Sequence, residues 1–268
     1  MVSLALGQVI AGPKPTLAPV EAQALVDRAL ANELEAAQDA SHPMRYQLRK
    51  ASPGGTTTRE IFETRDGEVA RLLAIADQPL SAADEQKEQA RLSDLVANPG
   101  KQRRRKQAED DDAGRALKVL RALPSAFIYQ DAGSADSSQG EVERYTFRPN
   151  PEFSPPDLET QVLTAMAGEI RIDRAHQRVT HLEGRLQRSV DFGWGILGRL
   201  NKGGWIAIDQ ADVGTGQWRI VHFQMTMSGR VVFKTRVFDT TEDEAQFAAL
   251  PVSMSYQKAI EMARAEAK

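Results

Sequence analysis

The chain has 268 residues, 41% hydrophobic and 26% charged, enough for one large domain with a substantial core. Lys plus Arg total 34 against 37 Asp plus Glu, a formal net charge of -3, so no global field draws the chain to nucleic acid or anionic lipid. Cysteine is absent, which excludes disulfides, thiolate metal sites, cysteine nucleophiles and a lipid-acceptor cysteine.

The first segment, 1–15, carries an apolar run over 2–12 that is too short to span a bilayer, which takes about 20 residues. It reads as the end of a signal-peptide apolar region without its basic start, or as an apolar arm. An exported, periplasmic location is the expectation, with no stable membrane span. Residues 16–40 then read as one amphipathic helix, with Val26, Leu30 and Leu34 on one side and Asp27, Arg28, Glu33 and Glu35 on the other. Pro43 ends it.

Strands are expected at 44–50, 56–65 and 68–76, joined by turns at 52–55 and at Asp66-Gly67. The meander is interrupted at 81–123, a stretch rich in Ala, Glu, Lys, Arg and Leu that reads as two helices broken at Asn98-Pro99-Gly100. Between them lie the basic cluster 103–106 and the acidic run 109–112. The two nearly cancel and no aromatic residue interleaves, so they read as a solvated surface and not as a nucleic-acid reader.

Strands resume at 127–129 and 141–148, around a turn at 133–140. The proline-rich 149–156 is a stiff connection, and 158–167 reads as a short helix stopped by Gly168. Ile170 and Ile172 begin the most regular region. Strands are expected at 179–183 and 185–191 around Gly184, at 205–210, and at 217–227 and 231–239 as a hairpin about Ser228-Gly229. Some six consecutive strands without a crossover helix require an antiparallel sheet. In 218–227 one face carries Trp218, Ile220, His222, Gln224 and Thr226, and the other Val221, Phe223, Met225 and Met227. Both faces are partly apolar, which implies that both are covered. A C-terminal helix is expected within 253–268, after a single curved-sheet domain over 16–252.

Catalytic and cofactor motifs are weak. Residues 193–198 match G-x-G-x-x-G, but no helix follows and the surroundings are antiparallel, so no dinucleotide cofactor is expected. Phe192, Trp194, Ile196 and Leu197 are instead large apolar side chains on a connection, suited to plugging the sheet or touching a ligand. With Trp205, Phe223, Met225 and Met227 they form the expected apolar ligand-binding set. Asp173 with His176, and His181 with Glu183, are local polar pairs that lack a nucleophile motif. The only other histidines are His42 and His222, with no HExxH or His-x-x-x-His spacing, so neither a metal nor an enzyme is expected.

The N-terminal helix followed by an antiparallel meander, with 168–173 (Gly-Glu-Ile-Arg-Ile-Asp) leading into 178–184 (Arg-Val-Thr-His-Leu-Glu-Gly), resembles the LolA/LolB-type half-barrel of envelope lipoprotein carriers. The segments 147–151 and 192–204 also resemble an uncharacterised family of exported acidobacterial proteins, which supplies no biochemical role. The carrier resemblance implies a curved antiparallel half-barrel with an N-terminal helix, sheltering an acyl chain or lipidated peptide. The helical insertion 81–123 departs from that plan and offers a cover for the concave face, so the expected fold is α+β, a half-barrel with an N-terminal helix and a helical insertion. The partner it implies is an apolar ligand, a lipoprotein or another envelope protein. The alternative is a structural or protein-interaction module that uses the sheet as a scaffold.

Overall fold

A computed structural model of the protein describes residues 19–137, 140–192, 198–214, 216–231 and 234–265. Helix α1 (Pro19–Ala36) is followed by strands β1 (Met44–Ser52), β2 (Gly55–Phe62), β3 (Val69–Ile75) and the two-residue β4 (Gln78–Pro79). Helices α2 (Ala82–Ala97) and α3 (Pro99–Ala126) lead to β5 (Phe127–Ser137) and β6 (Gly140–Pro149). A single turn, α4 (Leu158–Gln161), continues as a 3-10 turn (Val162–Ala165) into β7 (Met166–Asp173), β8 (Arg178–Leu186), β9 (Val190–Phe192) and β10 (Gly198–Leu200). Strands β11 (Trp205–Asp212), β12 (Trp218–Val231) and β13 (Lys234–Ala249) precede α5 (Tyr256–Ala265).

All thirteen strands belong to one curved, unclosed antiparallel sheet, with main order β4-β3-β2-β1-β13-β12-β11-β8-β7-β6-β5. The fold is therefore α+β, as expected. The N-terminal meander joins the rest through β1 and β13, with Met44 opposite Ala249 and Ala51 opposite Thr241. Curvature has identifiable sources. Register shifts interrupt β1–β13, β2–β3, β5–β6, β7–β8 and β11–β12, and each extra residue bends its strand. Gly168 and Gly184 face each other across β7 and β8, where a side chain would obstruct the bend.

Two apolar cores sit at the two ends of the sheet. In the first, Leu25, Val26, Ala29 and Leu30 of α1, spaced for one helical face, pack with Leu123 and Ala126 of α3 and with Phe127, Tyr145, Phe147, Ile170 and Ile172. In the second, Leu92 and Leu95 of α2 and Ala259 and Ile260 of α5 cover Phe62 and Val69. Ser81 caps α2 by accepting a hydrogen bond from the Asp84 backbone N–H at 3.2 Å.

Helix α3 joins the two ends. It runs 28 residues, about 42 Å at 1.5 Å per residue. Near its start, buried Gln102 donates to the carbonyls of Asp66 and Glu68 at 3.1 and 3.2 Å, and Glu109 accepts from the Glu68 N–H at 2.9 Å. The β2–β3 turn lies so close that a Cβ on Gly67 would come 2.9 Å from the Lys106 Cβ, and its φ of +93° also favours glycine. At the far end, the Tyr129 hydroxyl donates to the Leu123 carbonyl at 3.1 Å and the Asn150 N–H to Ala126 at 2.8 Å.

Five local expectations are corrected. The charged block 103–112 is part of one continuous helix and not a break between two; Lys106 pairs with Asp110 at 2.8 Å, Gln107 bonds Asp111, and Arg115 pairs with Asp112, all at helical spacing. Gly168 is not a helix stop: the helix ends earlier, and Gly168 lies inside β7 because its Cβ would fall on the Glu183 carbonyl oxygen. Gly184 does not separate two strands but lies within β8, beneath the Met166 side chain. Ser228-Gly229 is not the hairpin turn; β12 runs through it, pairs with β10, and meets β13 at Val231 opposite Lys234. The two faces assigned to β12 also mix: Asp209 faces His222 while Gln210 faces Ile220, so Val221 is an extra residue and the alternation inverts there.

Two glycines separate close approach from mere helix content. Gly168→Ala is expected to lower unfolding free energy by roughly 3 kcal/mol through overpacking against β8. Gly114→Ala, in the exposed middle of α3 with open space around it, is expected to raise it by about 1 kcal/mol. Urea unfolding of both variants checks this, and a neutral Gly168→Ala would remove the packing explanation.

Candidate binding cavity

Between the middle of α3 and the concave face lies a partly open cavity of about 740 Å³. Its roof is Ala113, Ala116, Leu117 and Leu120 of α3; its floor includes Leu182, Ile206, Ile208, Ile220, Phe223 and Met227 of β8, β11 and β12. Phe127, Phe147, Leu163 and Met166 close one side, and among the described residues Glu159 is the one charged residue in the wall. The bulge at Val221 brings Ile220 and Phe223 onto the same floor. Much of this apolar surface stays uncovered by the chain itself: Ile220 is 38% and Leu158 50% exposed. Exposed apolar surface gathered into a concavity is the usual mark of a ligand or partner site.

A second cavity of about 380 Å³ adjoins the first, and both share Ala37, Leu120, Leu123, Leu182, Ile208 and Ile220 as walls. Its wall is still largely apolar but, unlike the first, also carries Glu33, Glu63, Arg178, Arg219 and Glu244. Buried Glu33 of α1 takes a two-pronged ion pair from Arg178 of β8 at 2.8 and 2.9 Å, and accepts from the Val179 N–H at 2.8 Å and Gln210 at 3.2 Å. These bonds satisfy a carboxylate that would otherwise be costly to bury. The Arg178 guanidinium lies 5.7 Å from the ring centre of Trp218. Arg219 lies 3.4 Å from Glu63 and donates to the His42 carbonyl at 2.6 Å.

Tyr46 of β1 and Glu244 of β13 complete this compartment. A bulge sets them: Gln47 faces Ala245 but Arg45 faces Ala248, so two residues of β13 oppose Tyr46, and Gln246 takes a φ of +58°. Tyr46 stacks on Phe247 at 5.3 Å. Burial, reinforced by repulsion from Glu242, Glu68 and Glu63, pushes the Glu244 carboxyl up to about 8 against the pull of Arg219. Burial and then Glu109 raise neighbouring Glu68 to about 7.

Of the eight residues expected to bind a ligand, Phe192, Phe223 and Met227 line the larger cavity. Met225 shares the face of Phe223 and Met227 but lies outside this wall. Trp205 is misplaced by the expectation: it alternates with Ile206 and Ile208 and therefore points to the convex side. Trp194, Ile196 and Leu197, like the rest of the G-x-G-x-x-G segment before Gly198 and residues 1–15, lie outside the described residues. The particular side chains that α3 and β11 give the wall, and the compartment of Glu33 and Glu244, were not expected. The alternation of Ile206, Ile208 and Gln210 is the signal that could have shown part of them.

The histidines gather elsewhere. His181, Asp209, His222 and Asp243 are successive partners across β8, β11, β12 and β13, with His181–Asp209 at 2.6 Å and His222–Asp243 at 2.7 Å. None lines either cavity. Asp173 accepts from the His176 N–H at 2.8 Å and so shapes the β7–β8 turn. Among the described residues, no group of three or more His, Cys, Asp or Glu is placed to hold a metal, and no helix is long and apolar enough to cross a membrane.

No protein-family model and no curated protein matches the chain, and nothing among the comparisons supports the resemblance to exported acidobacterial proteins. Two crystal structures are similar. A Vibrio parahaemolyticus domain described as an outer-membrane lipoprotein-sorting protein is 10% identical over 92% of this chain and all of its own, with a TM-score of 0.31. MucB, in complex with MucA(peri), is 12% identical over 84% of this chain and 94% of its own, with a TM-score of 0.22. At these scores neither neighbour bears on the function of this chain.

The raised carboxyls set the sign of a pH effect. The folded state keeps protons on Glu244 and Glu68 that the unfolded chain, with an ordinary value near 4.5, releases. Their contribution is present below about 4.5 and is lost as pH rises through 7 to 8. Denaturant unfolding between pH 5.5 and 8.5 is expected to show stability falling by a few kcal/mol, up to roughly 5, and Glu244→Gln to flatten more than half of that slope. A flat wild-type profile would remove the assignment.

Proposed function

We propose that the protein is a non-enzymatic binder of an alkyl or acyl chain, which occupies the cavity between α3 and the concave face. The observation that carries this reading is an interior space of about 740 Å³ whose wall is apolar apart from Glu159. That volume falls within the range of small-molecule sites. Among the described residues, the paired histidines His181 and His222 lie across the sheet from the cavity, which supports binding over chemistry. The apolar run 2–12 supports an exported, envelope setting, in which a lipidated peptide or lipoprotein would present such a chain. Exposed Val237 and Phe238 on β13 are the features that would serve the rival reading of an interaction scaffold. A scaffold, however, calls for a filled interior.

Alkyl probes of increasing length, followed by calorimetry below their micelle thresholds, test the proposal. Each buried methylene contributes about 0.8 kcal/mol, so affinity is expected to rise about fourfold per carbon. Ala116→Trp, at the exposed mouth on α3, is expected to weaken binding at least about tenfold while leaving unfolding free energy within about 0.5 kcal/mol of wild type. Affinity independent of chain length would end this reading.

A further inference from the structure

We propose that the smaller, charge-bearing compartment is a head-group subsite for a cationic, amine-bearing head, with Glu244 as counter-ion and the Tyr46 hydroxyl as a hydrogen-bond partner. This deepens the alkyl-chain reading of the adjoining cavity and rests on it. The ligand class is then a single-chain amphiphile with an ammonium at one end.

Charge pairing within the compartment carries the inference. Its lining holds three carboxylates, Glu33, Glu63 and Glu244, and two guanidiniums, Arg178 and Arg219. Both guanidiniums are already engaged. Arg178 grips Glu33 through Nε and Nη2, and Arg219 holds Glu63 and the His42 carbonyl. The third carboxylate has no such partner: among the described residues, no hydrogen bond or ion pair reaches Glu244. The same holds for the Tyr46 hydroxyl, which borders the same space with its ring stacked on Phe247.

Glu244 is half-buried, and a carboxylate in such a partly desolvated place gains from a positive or N–H-bearing partner. Glu244 also faces further negative charge, from Glu63 within the lining and from Glu68 and Glu242 beside it, with Glu242 itself held by Lys50 at 2.6 Å. An ammonium would relieve this repulsion. An anionic head would have to displace Glu63 from Arg219 and would still meet Glu244. The six residues shared by the two cavities place the subsite at the end of the apolar space, so one molecule can reach both.

Decylamine, decanoate and decanol, titrated near pH 8.5 with calorimetry and tryptophan fluorescence, separate the head from the chain. Decylamine is expected to bind at least about tenfold tighter than decanoate. Glu244→Gln is expected to weaken decylamine by about tenfold and to leave decanol within about twofold, which also reports an intact cavity. Decanoate binding as tightly as decylamine, or Glu244→Gln leaving decylamine unchanged, would overturn the head-group assignment while decanol binding upholds the chain site. If none of the three binds, the chain site itself is refuted and the subsite falls with it.

Discussion

The interior of this protein exists because one helix is held at both ends and not in the middle. Helix α3 is pinned to the β2–β3 turn by Gln102 and Glu109 and to the opposite core by Leu123, Ala126 and the Tyr129 hydroxyl. Each anchor belongs to a different end of a sheet bent by bulges and by the Gly168–Gly184 pair. A helix of about 42 Å held at two ends of a curved sheet stands off from it between its supports. Two of the roof residues, Ala113 and Ala116, are small, so the gap is only partly filled from above, by Leu117 and Leu120.

The polarity of the space follows from the same geometry. Strands near α3 and β5 contribute apolar side chains, because there the sheet and helix converge into the first core. Toward β1 and β13 the concave face leaves α3 and meets the end of α1, where Glu33 is driven onto the sheet by its own helix and must be neutralised by Arg178. That ion pair is buried and fully bonded, so its role is to fix the docking of α1. Glu244 differs. It is presented by a bulged strand, lacks a fixed partner, and sits where carboxylates outnumber guanidiniums.

How much of this was legible depends on whether a feature is local. The first helix, the meander at Asp66-Gly67 and the break at Asn98-Pro99 are written in capping, periodicity and turn chemistry, and the fold class follows from them. The glycines misled because a glycine inside a strand and one ending a helix look alike in sequence; only the approach of β8 to β7 distinguishes them. The extra residue at Val221 inverted the face of β12, so Ile220 and Phe223 looked opposed although they share a floor. The second half of β13 was not read as strand at all, since the bulge at Gln246 breaks its alternation. Glu244 and its compartment were hidden with it.

The uncovered apolar wall also explains how a ligand would act on the whole molecule. Ile220 and Leu158 keep a large part of their surface, so the fold leaves unused some of the burial that its sequence could supply. A bound chain restores that burial across three elements at once: α3 above, the β8–β11–β12 floor below, and the α4 turn beside it. Stability then becomes a function of ligand, rising by about 2.7 kcal/mol at a hundredfold excess over Kd. The part most affected is the span of α3 between its anchors, because there the ligand replaces the packing that the sheet's curvature withholds.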